Sequence, residues 1–273
     1  MRFRIVDAFT ERPFAGNPAA VVLFDAGPFP DDARLQRLAA ELYLSETAYA
    51  HPLPPGAGAD WALRWFTPVA EVRLCGHATL ATAHVLAATG RARGTVRFAT
   101  LSGVLSATAG EDGTVTLDFP TAPLTPVEAP AAVAGALGTT VRTVHETGPQ
   151  VLDLLVEVAD EAAVRALRPD LRALAALDGR GVIVTAGAEE TGGGYDYVSR
   201  CFFPALGIDE DPVTGSAHTA LAPLWSARLG RETLTGLQAS ARTGLVRTTL
   251  RGERTLLTGH AVTVVDGTLL TGW

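Results

Sequence analysis

A chain of 273 residues that is 47% apolar and 19% charged buries a large core, either as one large domain or as two medium ones. Its net charge of −7, with no run of Arg and no alternation of aromatic and basic residues, gives nucleic acid no footprint. All 22 basic side chains are Arg and none is Lys, which removes a lysine Schiff base, the pyridoxal-phosphate chemistry built on it, and the P-loop.

The start, Met1-Arg2-Phe3-Arg4, is charged where a secretory leader is apolar, and no apolar run nears the roughly 18 residues of a membrane span. Two cysteines, Cys75 and Cys201, do not make a disulfide framework, although a single bridge between them stays open. The expectation is a cytoplasmic protein with reduced thiols and no membrane or nucleic-acid partner. No G-x-G-x-x-G follows a strand, so the chemistry falls to acids, His, Ser, Thr, Cys and backbone groups, with Arg left to bind charge.

Along the first half, 3–8, 19–24, 47–50, 62–66, 95–99, 103–107 and 114–119 have the composition of short strands bounded by Gly, Pro or Asp. One surface helix interrupts them, capped by Asp31 and Asp32, with Leu35, Leu38, Ala39 and Leu42 as its apolar face. Strand composition returns at 151–158, 181–186, 195–203, 245–250, 255–258 and 261–265. Two further helices, 77–88 and 216–229, are apolar or small nearly all the way round, which is the pattern of a buried helix. Their flanks match: Phe66-Thr67-Pro68, Glu71 and Gly76-His77-Ala78 before one, Phe203-Pro204, Asp209 to Asp211 and Gly215-Ser216-Ala217 before the other. Gly76 and Gly215 lie 139 positions apart, about half the chain, as an internal duplication would place them. Four prolines between 120 and 130 mark a linker. The expected organisation is therefore an N-terminal lobe over 1–119, joined by the C-terminal strand 261–273, then the linker 120–130 and a second lobe over 131–260. Each lobe is a sheet wrapped around one helix.

A buried helix must satisfy its first N–H groups, and here each starts with Gly followed by a polar residue, His77 or Ser216. Glycine lets a ligand approach the backbone, so two such ends facing one cleft would hold an anion; plain capping by Thr214 and Ser216 is the alternative. Glu46, in Leu44-Ser45-Glu46-Thr47-Ala48, faces inward if Ala48 and Ala50 do, and is a candidate general base.

The stretches Asp7-Ala8-Phe9, Phe14-Ala15-Gly16-Asn17-Pro18, Leu44-Ser45-Glu46-Thr47-Ala48, Arg64-Trp65-Phe66-Thr67-Pro68, Leu74-Cys75-Gly76-His77-Ala78-Thr79 and Asp211-Pro212-Val213-Thr214-Gly215-Ser216 resemble the PhzF family pattern, in the family's order and over essentially the whole chain. The resemblance implies an α+β, diaminopimelate epimerase-like fold of two pseudo-symmetric lobes, each a curled, mostly antiparallel sheet around a central helix. It implies a cofactor-independent, metal-free isomerase acting on a small anionic substrate such as trans-2,3-dihydro-3-hydroxyanthranilate, and a homodimer. Glu46 matches the family's acid/base. His77, Asp211 and Ser216 match polar residues around the substrate, while Asn17, Cys75, Gly76, Thr214 and Gly215 fall in loops that bind it. Asn17, Tyr43, Tyr49 and the Gly192-Gly193-Gly194-Tyr195 loop are expected to set specificity.

Competing readings are weaker on the same residues. Related epimerases use one cysteine before each central helix; Cys75 stands at the first place, but Pro212, taken as the second, transfers no proton. A zinc set of Cys75, His77, His84 and His218 fits no usual ligand spacing. A binding module without catalysis has no need of Glu46, His77, Asp211 and Ser216 together.

Overall fold

Segments of period-2 sequence become strands, and the two all-apolar segments become helices enclosed by them. The computed structural model describes residues 1–189 and 193–270. They form two units, Met1–Asp118 with the chain from Thr258 onward, and Phe119–Leu257.

In the first unit β1 (Arg2–Ala8) pairs antiparallel with β2 (Asn17–Leu23), and β2 runs parallel to β3 (Glu46–Pro52). The crossover between them is α1 (Asp32–Leu42), where the Asp31 side chain accepts from the Arg34 N–H and Leu35, Leu38 and Ala39 are buried. β4 (Trp61–Phe66) returns antiparallel to β3, and β5 (Glu71–Val72) pairs antiparallel with β4. Then α2 (Gly76–Ala88) leads to β6 (Thr95–Thr100), parallel to β4, and the meander continues through β7 (Gly103–Ala109) and β8 (Val115–Pro120).

In the second unit β9 (Thr125–Val127), which lies within the Pro-rich stretch, pairs with β10 (Val141–Glu146) across α3 (Ala131–Leu137). A helical turn, α4 (Gly148–Val151), joins β10 to the antiparallel β11 (Asp153–Val158). β11 runs parallel to β12 (Gly181–Gly187), with α5 (Glu161–Ala166) and α6 (Leu171–Ala175) in the crossover. β13 (Tyr197–Phe203) and β14 (Ile208–Asp211) follow antiparallel, and α7 (Gly215–Leu229) leads to β15 (Thr233–Gln238), parallel to β13. β16 (Gly244–Arg251) pairs antiparallel with β15, β17 (Arg254–Gly259) follows, and β18 (Ala261–Thr268) pairs antiparallel with β1 in the first unit.

One order of pairings thus occurs twice: antiparallel, parallel across helices, antiparallel, antiparallel, buried helix, parallel, antiparallel. β1 to β7 and β10 to β16 are copies of one topology. Both central helices are buried on several sides, α2 through His77, Leu80, Val85 and Leu86, and α7 through Ala217, Leu221, Leu224 and Trp225. No helix among the described residues is long and apolar enough to cross a membrane.

Some elements depart from the sequence pattern for identifiable reasons. The strand expected from Val151 begins at Asp153, because Gly148-Pro149 opens a helical turn and Leu152 takes a left-handed φ of 60°. β15 has no readable alternation because Gly236 interrupts it. A Cβ there would come within 2.4 Å of the Tyr197 ring, so the glycine lets β15 lie against β13.

His218 of α7 lies in the second unit's core, fully buried, with Nδ1 2.9 Å from the Tyr197 hydroxyl. Burial pushes its pKa down to about 3. The folded protein therefore refuses a proton that the unfolded chain takes up below its ordinary value, so this contribution is complete above that value and shrinks as pH falls. Between pH 7 and pH 4 it amounts to about 3 kcal/mol. Denaturant unfolding at both pH values should show wild type losing more stability than His218→Gln; equal losses would contradict the assignment.

Candidate active site

The first unit gathers its predicted site residues from two loops and a helix end. Buried Asp7 accepts the Phe14 N–H at 2.6 Å, pinning the loop before β2. Gly16 closes that loop at φ 64°, and a Cβ on it would stand 2.1 Å from the Ala8 carbonyl oxygen. The result is a fully buried Asn17 at the head of β2, accepting from the Ser45 hydroxyl at 3.2 Å. α1 ends at Tyr43 with a left-handed φ of 51°, so the chain turns at once into β3, whose first residue is Glu46, opposite Ala19.

Across from it, α2 begins at Cys75-Gly76-His77. Cys75 is the N-cap in extended conformation, and its side chain makes no capping hydrogen bond. His77 Nε2 lies 3.2 Å from Glu46 Oε2, the two side chains only 6% and 12% exposed. The contact is an ion pair whose angles fall short of a hydrogen bond. The other ring nitrogen, Nδ1, lies 3.6 Å from Cys75 Sγ. Burial opposes the imidazolium, but attraction from Cys75 and Glu46 outweighs it, and the His77 pKa stands well above 6.5. Burial first, and then the Glu46 charge, push the Cys75 thiol up. Sulfur and carboxylate are thus both counter-groups of the His77 imidazole, one at each ring nitrogen.

Glu46, Cys75 and His77 each offer a donor atom within 4.8 Å of the others. The imidazole, however, gives a different nitrogen to each neighbour. That is a bridge between carboxylate and thiol, suited to passing or holding a proton, rather than three donors around one ion.

In the second unit the equivalent helix end is a hydrogen-bonded net. Thr214 is the N-cap of α7, yet its hydroxyl donates to Asp211 Oδ2 instead of closing the first turn. Gln238 accepts the Thr214 N–H at 2.8 Å and donates to the Asp211 carbonyl at 2.8 Å and to Thr214 Oγ1 at 3.1 Å. Ser240 donates to the Pro212 carbonyl at 2.8 Å. Ser216 Oγ receives a hydrogen bond from Arg180, itself clamped by buried Asp153.

Glu46, His77, Cys75 and Gly76 thus come together in the first unit, with Asn17 tied in through Ser45. Asp211, Thr214, Gly215 and Ser216 come together in the second. Counted from the helix starts, Thr214 rather than Pro212 takes the place of Cys75, and a threonine is no thiol acid/base. Tyr49 is not a specificity residue: it is fully buried, donates to the Leu35 carbonyl at 2.7 Å and packs on Phe66. Tyr43 is exposed, and Tyr195 donates to Glu161 at 2.7 Å, while Gly192 lies outside the described residues. Cys75 and Cys201 are both free and buried. Arg180, Asp153 and Gln238 carry no motif, and only the fold brings them to a helix end.

A family model described as "Phenazine biosynthesis-like protein" (PhzC-PhzF) matches residues 6–267. An uncharacterized isomerase of Pseudomonas aeruginosa is 47% identical, covering 97% of this chain and 96% of its own. The crystal structure of a PhzF family protein from Enterococcus faecalis, 41% identical, superposes with a TM-score of 0.89 over 97% of each chain. A hydroxyproline epimerase from Agrobacterium vitis shares the fold at 14% identity and a TM-score of 0.60, over 98% of this chain and 91% of its own.

The raised His77 pKa stabilises the folded state fully below about 6.5, and that contribution is lost as pH rises through the folded value. In an NMR titration the His77 imidazolium should persist above pH 6.5, and Glu46→Gln should lower its midpoint. A wild-type midpoint at or below 6.5 would show that burial wins.

Proposed function

The chain belongs to the phenazine biosynthesis-like PhzF family, with the diaminopimelate epimerase-like fold, and is an isomerase; on that premise we propose that Glu46 is its single acid/base. The observation that supports this reading is the near-buried Glu46–His77 pair at the N-terminus of α2. Its substrate is a small carboxylate-bearing molecule, trans-2,3-dihydro-3-hydroxyanthranilate or a related amino-acid-like or cyclic metabolite.

The chemistry follows from the charges. The Glu46 carboxylate takes a proton from a substrate carbon through Oε1, while Oε2 stays beside the His77 imidazolium. The negative charge left on the substrate is met by N–H groups of Gly76 and His77, which point out of a buried helix start with its dipole behind them. Protonated Glu46 then returns the proton to another carbon. Atoms and charge balance with nothing added, so the cycle calls on no cofactor. Asp211, Thr214, Gly215 and Ser216 enter this reading as substrate-binding groups, through the family pattern. An epimerase with two opposed thiols is disfavoured because the N-cap of α7 is Thr214.

Glu46→Gln keeps the shape and the hydrogen-bonding oxygen but removes the base. With dihydrohydroxyanthranilate, kcat should fall by about 10³-fold, within the span for loss of a general acid/base, while the dissociation constant from calorimetry changes little. Turnover within about tenfold of wild type would remove Glu46 from the role.

A further inference from the structure

The end of α7 contains a device that the family pattern does not account for. The Asp153 side chain has no exposed surface, and its two oxygens accept from Arg180 Nε at 2.9 Å and Nη2 at 2.6 Å. Phe203 backs the guanidinium, 4.9 Å from its ring centre, and the Arg180 N–H donates to the Leu152 carbonyl at 2.6 Å. The guanidinium therefore has one orientation, and from it Nη2 reaches Ser216 Oγ at 3.0 Å. A guanidinium has only donors, so the Ser216 oxygen must accept and its one hydroxyl hydrogen must point elsewhere. Among the described residues no acceptor takes that hydrogen.

We propose that Arg180 is a positioning residue that, anchored by Asp153, turns the Ser216 hydroxyl into a hydrogen-bond donor toward the ligand, so that this helix end takes an oxyanion such as a substrate carboxylate. The carboxylate assignment rests on the reading that the α7 start binds substrate; the polarity of Ser216 does not. Asp153 cancels the charge of Arg180, so what Arg180 contributes is the direction of a hydrogen bond: the Ser216 hydroxyl donates, as do the first N–H groups of a helix.

A thiol in place of the hydroxyl reports this field without any substrate. Ser216→Cys is titrated by thiolate absorbance against wild type, whose Cys75 and Cys201 thiols are pushed up by burial. The introduced thiol should titrate at least about one unit below the free-cysteine value of about 8.5. Adding Asp153→Asn together with Arg180→Met, which strands no buried carboxylate, should raise it by about one unit, a tenfold drop in thiolate fraction. Arg180→Lys keeps the ion pair but loses the fork, and should raise it too. A thiol at its ordinary value in Ser216→Cys, or one unmoved in whichever Arg180 variant folds, would overturn the proposal. These readouts involve no turnover, so failure of the Glu46 assignment and failure of this one are separate results.

Discussion

A carboxylate and an imidazolium, both almost out of water, hold each other in place at the start of α2. Either charge alone would be costly there, and removing one partner of such a pair typically strands the other. Much of the surrounding backbone fixes where they meet. The loop closed by Gly16 sets Asn17, Asn17 receives Ser45, the left-handed Tyr43 turns the chain, and Glu46 follows at the head of β3. On the other side, burial of α2 leaves no freedom in where His77 stands. The Cys75 thiol completes the arrangement by occupying the second ring nitrogen.

The duplicated topology gives each unit the same feature, a buried helix that starts with glycine and a polar residue, and the two copies have diverged in chemistry. At α2 the residues beside the glycine are Cys75 and His77, and the end carries charge. At α7 they are Thr214 and Ser216, and the end is a hydrogen-bonded net that takes in Asp211, Gln238, Ser240 and Arg180. In the proposed mechanism the first moves a proton and the second holds a ligand. Catalysis by one carboxylate fits that asymmetry, since β3 begins with Glu46 where its counterpart β12 begins with Gly181.

Much of this was legible in the chain itself. Buried helices announce themselves by lacking a polar face, and Glu46, His77, Asp211 and Ser216 stand in short motifs beside turns. What escaped was whatever depends on tertiary contact. Gly236 hides a strand because its reason is the Tyr197 ring, which is distant in sequence. Tyr49 looked like a cleft residue because an aromatic near a motif carries no mark of which way it faces; its hydroxyl is spent on the Leu35 carbonyl. Arg180 sits in Asp178-Gly179-Arg180-Gly181, an ordinary turn, and becomes informative only when the fold sets it between Asp153 and Ser216. Proximity in sequence matches Pro212 to Cys75, whereas the helix start matches Thr214.

The central claim, that one carboxylate both removes and returns the proton, is tested most directly by following a label. Dihydrohydroxyanthranilate carrying deuterium on the ring carbon that loses its hydrogen is converted in ordinary water, and the product is examined by NMR within the first turnovers. A single carboxylate predicts that part of the label reappears on the carbon that gains the proton. Complete loss of label to solvent from the first turnover would contradict it and point to two separate proton carriers.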